Sequence, residues 1–156
     1  DEPFLVHAGD TYIFSSNNSH LLRLLKHYDS RDISAVLTLK EIREHQKIYG
    51  CAIVEYQGSI MRVKQVIEKP EKPPSNLAIM PVYIFEPDIF EAIKETAPGI
   101  GGEIQLTDAI QRLIDWQQPV EAIKLHDDEI RLDVGTPETY WEALKLSYEL
   151  SMRSSQ

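Results

Sequence analysis

The chain has 156 residues, 42% hydrophobic and 26% charged, enough to bury the core of one compact domain and too apolar for a disordered segment. Lys plus Arg number 16 against 25 Asp plus Glu, and the resulting net charge of -9 repels phosphate backbones and argues against nucleic-acid binding. No apolar run is long enough to cross a bilayer, no signal peptide is visible, and the one cysteine, Cys51, excludes an internal disulfide and fits a reducing, cytoplasmic setting.

The chain opens without Met on Pro3-Phe4-Leu5-Val6-His7-Ala8, a run that predicts a buried strand and reads as a piece of something larger. Gly9-Asp10-Thr11 follows. A polar stretch from Ser15 to Ser19 then caps a helix with Leu21, Leu22, Leu25 and Tyr28 along one side. Ile33 to Leu39 predicts a buried strand. Tyr49-Gly50 turns into Cys51 to Tyr56, and Gln57-Gly58-Ser59 makes a hairpin into Ile60 to Ile67.

Leu77 to Phe85 predicts another apolar strand, and Pro87 starts a helix bearing Ile89, Phe90 and Ile93. The segment Gly101 to Asp108 leads into a helix with Ala109, Ile110, Leu113 and Ile114 inward. Pro119 to Leu125 and Ile130 to Leu132 predict two short strands, with Asp127-Asp128-Glu129 as a solvated hairpin tip between them. Thr136-Pro137-Glu138 starts a last helix, which carries Trp141, Leu144 and Tyr148 at core-facing spacing. Trp116, Trp141 and the helix tyrosines read as core. Residues 1–150 form one α/β domain with a mixed sheet, and 151–156 a frayed tail.

Chemistry concentrates at strand ends. Glu68 and Lys69 close an apolar run just before Pro70, and on a regular strand such neighbours diverge. An acid and a base there suit a ligand carrying hydroxyls and a phosphate, or else simply end a strand in front of a solvated Pro-rich loop. Asp10 and Asp133 each follow an apolar run, with Gly9 and Gly135 beside them. Ligands collect at the carboxyl ends of strands in open α/β sheets, and two carboxylates plus phosphate oxygens suit Mg²⁺. Each Asp equally well begins a turn or caps a helix, and spacing alone favours that plainer reading. His7, His20, His27, His45 and His126 show no metal-ligand pairing, and Cys51 reads as an inert small hydrophobe.

Six pieces occur in a fixed order: Gly9-Asp10, Tyr49-Gly50, Glu68-Lys69-Pro70, Ser75-Asn76-Leu77-Ala78, Gly102-Glu103-Ile104-Gln105-Leu106-Thr107-Asp108-Ala109 and Asp133-Val134-Gly135-Thr136. Together they resemble the sugar-1-phosphate nucleotidyltransferase family over nearly the whole chain. The resemblance implies a three-layer, Rossmann-like nucleotide-diphospho-sugar transferase fold with a mixed sheet, incomplete at its N-terminus. It implies transfer of a nucleotidyl group from UTP or dTTP to a hexose-1-phosphate, such as glucose-1-phosphate, with release of pyrophosphate. Asp10 and Asp133 would hold Mg²⁺, Lys69 would contact the sugar phosphate, and Glu68 would accept hydrogen bonds from sugar hydroxyls. Tyr49, Gly50, Asn76 and Tyr83 would line the sugar pocket. Relatives commonly assemble as dimers or tetramers, so a homo-oligomer is expected.

Three departures stand out. Gly101 occupies the place of an arginine common in thymidylyl-transferring members, and the Gly102-to-Ala109 wording is closer to uridylyltransferases, whereas Gly9-Asp10 and Asp133-Val134-Gly135-Thr136 look more like the thymidylyl group, which leaves the base open. Pro81 stands where many members have glycine. The family's Gly-x-Gly-x-Arg nucleotide loop is not in this sequence, so these residues would supply the sugar and metal half of a site and would not turn over alone. A non-catalytic, sugar-nucleotide-binding regulatory homologue is the alternative. A Mg²⁺-dependent glycosyltransferase ranks lower, since no Asp-x-Asp pair is present.

Overall fold

The computed structural model describes residues 2–42 and 49–154; His45 lies outside them. Among the described residues eight strands and four α-helices follow in chain order: β1 (Phe4–His7), β2 (Thr11–Phe14), α1 (Ser19–Asp29), β3 (Ala35–Glu41), β4 (Cys51–Gln57), β5 (Ile60–Ile67), β6 (Leu77–Phe85), α2 (Asp88–Glu95), α3 (Leu106–Asp115), β7 (Val120–Lys124), β8 (Ile130–Asp133) and α4 (Pro137–Ser154). A six-stranded sheet runs β1-β6-β3-β7-β5-β4 and curls until β4 touches β6 at Cys51 and Ala78. The pairing of β3 with β7 is parallel, whereas β3 with β6 and β4 with β5 are antiparallel, so the sheet is mixed. β2 and β8 form a separate antiparallel ribbon.

The side-chain period of two sorts β6 into both faces of the sheet. Leu77, Ile79, Tyr83 and Phe85 join the core under α2 and α3, beside Ile89, Ile110 and Leu113. Ala78, Met80, Val82 and Ile84 join a second core with Leu24 of α1 and Ile13 of the ribbon. These are three layers: α2 and α3, the sheet, then α1 with the ribbon. A strand buried on both faces reads as an unbroken apolar run, and β6 does. Pro81 interrupts it without a backbone donor. It sits where the β3 register slips between Leu37 and Thr38, and its carbonyl accepts from the Ala8 amide at 3.0 Å.

Local signals explain most ends. Gly58 turns the β4–β5 hairpin at φ +65, a conformation glycine adopts freely. Thr136 and Thr139 cap α4 reciprocally, each hydroxyl accepting the other's amide at 3.2 and 3.0 Å.

Several expectations are corrected. α1 buries His20 and Leu24, with Leu21 and Tyr28 packed beside the core, while Leu22 and Leu25 face solvent. Leu150 of α4 and Tyr12, Phe14 and Leu132 of the ribbon line one open hollow, and Trp141, Leu144 and Tyr148 of α4 point outward, Trp141 being 68% exposed. α4 itself runs through Ser154, and residues 155 and 156 lie outside those described. β7 and β8 are no hairpin: β7 pairs with β3 and β5, β8 with β2. Of the segment between them Asp127 and Asp128 are solvated, but Glu129 is not: its side chain is 2% exposed and bonds to Arg23 at 2.6 Å.

Candidate active site

A cavity of about 390 Å³ opens beside the carboxyl end of β5, lined by Asp10, Tyr49, Gly50, Glu68, Lys69, Tyr83 and Asp133 among others. That is the volume range of small-molecule sites. Seven of the eight residues singled out in the sequence thus meet in one hollow. The eighth, Asn76, is absent from the lining, and its amide instead donates to Glu41 at 2.8 Å.

The ribbon brings the two aspartates together. Thr11 pairs with Asp133, which puts Asp10 at the same end, and the Val134 amide donates to the Asp10 carbonyl at 2.8 Å. Arg131 lies two residues before Asp133 and shares its face of the strand. Its guanidinium donates to Asp133 Oδ1 at 2.7 Å, to the Tyr49 hydroxyl at 2.6 Å and to Thr11 Oγ1 at 3.2 Å. It also stacks over the Tyr49 ring, 4.5 Å from the centroid.

Glu68 and Lys69 do not diverge as strand neighbours would. β5 ends at Ile67, and Lys69 takes a left-handed backbone with φ 39, unusual for a side chain of its size. Both side chains line the cavity, with Lys69 Nζ 3.7 Å from Glu68 Oε1. Thr107, from the first turn of α3, donates to Glu68 Oε2 at 2.6 Å. Gly50 is placed so that a Cβ would meet Glu68 Oε2 at 3.0 Å and Thr107 Oγ1 at 3.3 Å. Burial, and then the neighbouring Glu68 charge, push the Tyr83 phenol well above its usual range, so it stays a neutral wall.

Sequence reasoning missed Thr107 and Arg131. Thr107 lay inside a quoted motif, while Arg131 carried no signal beyond its two-residue spacing from Asp133. The other named residues sit apart. Cys51 is buried at the start of β4, and burial pushes its thiol up, as expected of an inert group. His20 is buried against Ser15 at 2.6 Å, and His27 bonds Glu121 at 2.8 Å. No group of three or more His, Cys, Asp and Glu positioned for a metal occurs among the described residues. No described helix is long and apolar enough to cross a membrane.

The frame is that of nucleotide-diphospho-sugar transferases. The solved structure of UDP-glucose pyrophosphorylase complexed with UDP-glucose superposes with a TM-score of 0.80 at 31% identity, over 95% of this chain and 57% of that one. The chain belongs to the nucleotidyl transferase family, whose model matches residues 1–149. It is 39% identical to the UTP–glucose-1-phosphate uridylyltransferase of Pseudomonas aeruginosa, over 96% of this chain and 54% of that protein. It is 34% identical to the low-salt glycan biosynthesis nucleotidyltransferase Agl11 of Haloferax volcanii, over 96% of this chain and 39% of that protein. The chain therefore spans about half or less of the length of these relatives.

Proposed function

We propose that this chain forms the sugar-phosphate and metal half of a nucleotidyltransferase site, taking a nucleotidyl group from UTP or dTTP to glucose-1-phosphate. The observation that carries the reading is the common cavity of Asp10, Glu68, Lys69 and Asp133, drawn from three separate stretches of chain. The uridylyltransferase relatives favour UTP and glucose-1-phosphate within that class.

The cavity's formal charges support a cation. Asp10, Glu68 and Asp133 set three negative charges against Lys69 and Arg131, leaving one negative in excess. A sugar phosphate and a triphosphate entering such a hollow need further positive charge. Asp10 is exposed at the cavity, and Asp133 has only one oxygen engaged by Arg131, so both carboxylates keep oxygens that a hard divalent ion could take together with phosphate oxygens. Bound there, Mg²⁺ would neutralise phosphate charge and align the two substrates.

The remaining work falls to side chains. Lys69, held near Glu68, meets the sugar phosphate as a point charge. Glu68, braced by Thr107, receives sugar hydroxyls. Gly50 and Tyr49 border the ring, and Tyr83 closes the wall. No general base is required, because the attacking phosphate oxygen is already ionised. The attack is in line on the α-phosphorus, with pyrophosphate leaving.

The test is calorimetric titration of the 156 residues with glucose-1-phosphate in Mg²⁺, paired with pyrophosphate release from UTP or dTTP by the protein carrying a nucleotide loop. Binding should be saturable, and Lys69→Ala should weaken it at least about tenfold. No binding, or binding indifferent to Lys69→Ala, would sink the proposal. Binding without turnover in the loop-bearing protein favours the regulatory homologue. Homo-oligomerisation and a cytoplasmic location are further parts of this proposal, read by light scattering and by fractionation.

A further inference from the structure

Arg131 is 13% exposed and makes more directed contacts than any other cation lining the cavity. Its Nη2 donates to Asp133 Oδ1 at 2.7 Å and to Thr11 Oγ1 at 3.2 Å, while Nη1 donates to the Tyr49 hydroxyl at 2.6 Å. Its Nε is buried and has no partner among the described residues. A guanidinium gripped at both outer nitrogens and stacked on a ring is fixed in plane and in reach. The Asp133 carboxylate is therefore held by one oxygen. Its other oxygen, Oδ2, accepts no hydrogen bond from Arg131, and even a Cβ built on Gly135 would stand at an ordinary contact distance of 3.5 Å from it.

We propose that Arg131 is a positioning residue that engages Oδ1 of Asp133 and leaves Oδ2 as the favoured point of contact for a divalent cation, so selecting Mg²⁺ over Ca²⁺. The inference rests on the metal reading above and deepens it. Mg²⁺ takes one oxygen from each carboxylate in a small, strict octahedron. Ca²⁺ is larger, takes more oxygens and gains from a carboxylate that offers both. With Oδ1 already bonded to a guanidinium, Asp133 offers a cation a weaker second oxygen, one that shares its electron density with Arg131. Freeing Oδ1 improves the site for Ca²⁺ more than for Mg²⁺. Removing the arginine's charge strengthens both dications alike, so the ratio of the two affinities isolates the geometric effect.

The experiment is electron paramagnetic resonance of Mn²⁺ bound to the 156-residue protein, displaced by Mg²⁺ or Ca²⁺. Three variants accompany the wild type: Arg131→Met, Arg131→Lys and Asp133→Asn. In the wild type Mg²⁺ should compete better than Ca²⁺. Arg131→Met, which has no donor for Oδ1, should move the Mg²⁺-to-Ca²⁺ competition ratio toward Ca²⁺ by about tenfold, and Arg131→Lys, which keeps one, should restore part of the preference. A wild type that prefers Ca²⁺ overturns the inference whether or not Arg131→Met folds, and so does an unchanged ratio in a folded Arg131→Met protein. Mn²⁺ binding untouched by Asp133→Asn overturns the metal reading itself. Loss of Mn²⁺ binding in Asp133→Asn together with an unchanged ratio in Arg131→Met overturns this inference alone.

Discussion

Glu68 shows how finely the cavity is set. Its Oε2 takes a 2.6 Å hydrogen bond from Thr107, and the space where Gly50 would carry a Cβ lies 3.0 Å from the same oxygen. A methyl group there forces the carboxylate or the hydroxyl to move. Gly50→Ala should therefore weaken glucose-1-phosphate binding about tenfold or more, while the thermal midpoint changes little, because the displaced groups face the cavity rather than the core. Calorimetry with a parallel melting curve checks both halves, and unchanged affinity would show that Glu68 does not touch the sugar. Glu68 and Lys69 stand out in the sequence as a charged pair closing an apolar run, whereas Gly50 marks a turn into one and is singled out only through the family resemblance. Thr107 could not be separated from an ordinary helix start. Asn76 lies outside the cavity lining for a related reason: its exposed amide donates to a carboxylate, Glu41, whose approach no local pattern in the sequence announces.

The element that departs most from expectation is the segment joining β7 to β8. Three acids in a row look like solvated turn residues, and Asp127 and Asp128 are exposed. Glu129 turns inward instead, where Arg23 of α1 donates to both its oxygens at 2.8 and 2.6 Å, with Ser19 at 2.8 Å and the His126 amide at 2.7 Å. Burial pushes this carboxyl up, but the Arg23, His126 and Ser19 hydrogen bonds outweigh it and hold the pKa down, from 4.5 to about 2. A depressed folded pKa gives stability that is present above the unfolded value and lost as pH falls through the window beneath it. Urea midpoints should drop by the equivalent of about 2 kcal/mol between about pH 6 and about pH 3, and Glu129→Gln should flatten that fall. An equally steep fall in the variant would remove Glu129 from the account. Sequence could not reveal this bridge, since its partners are more than 100 residues apart. α4 marks a different boundary: a period near 3.6 shows that Trp141, Leu144 and Tyr148 share a face, but not that anything covers it.

The fold as a whole was readable because its signals agree. Apolar runs of strand length, a glycine hairpin and proline helix starts all point to a mixed α/β sheet, and six ordered motifs point to one family. What resisted was long-range: which strand pairs with which, and which polar side chains close on each other. The cavity is where those distant pieces meet, since β2, β5, β8 and the start of α3 all end there. A ligand that bridges them should report on the entire domain. Binding to the folded state alone adds about 2.7 kcal/mol at a hundredfold excess over the dissociation constant. For a domain of this length that corresponds to a rise in melting temperature of about 5–10 °C. Glucose-1-phosphate with Mg²⁺ should produce that rise in scanning calorimetry, Lys69→Ala should reduce it, and Asp133→Asn should abolish its dependence on Mg²⁺. The same rise with glucose and Mg²⁺, lacking phosphate, would locate binding away from Lys69 and break the link between the two halves of the cavity.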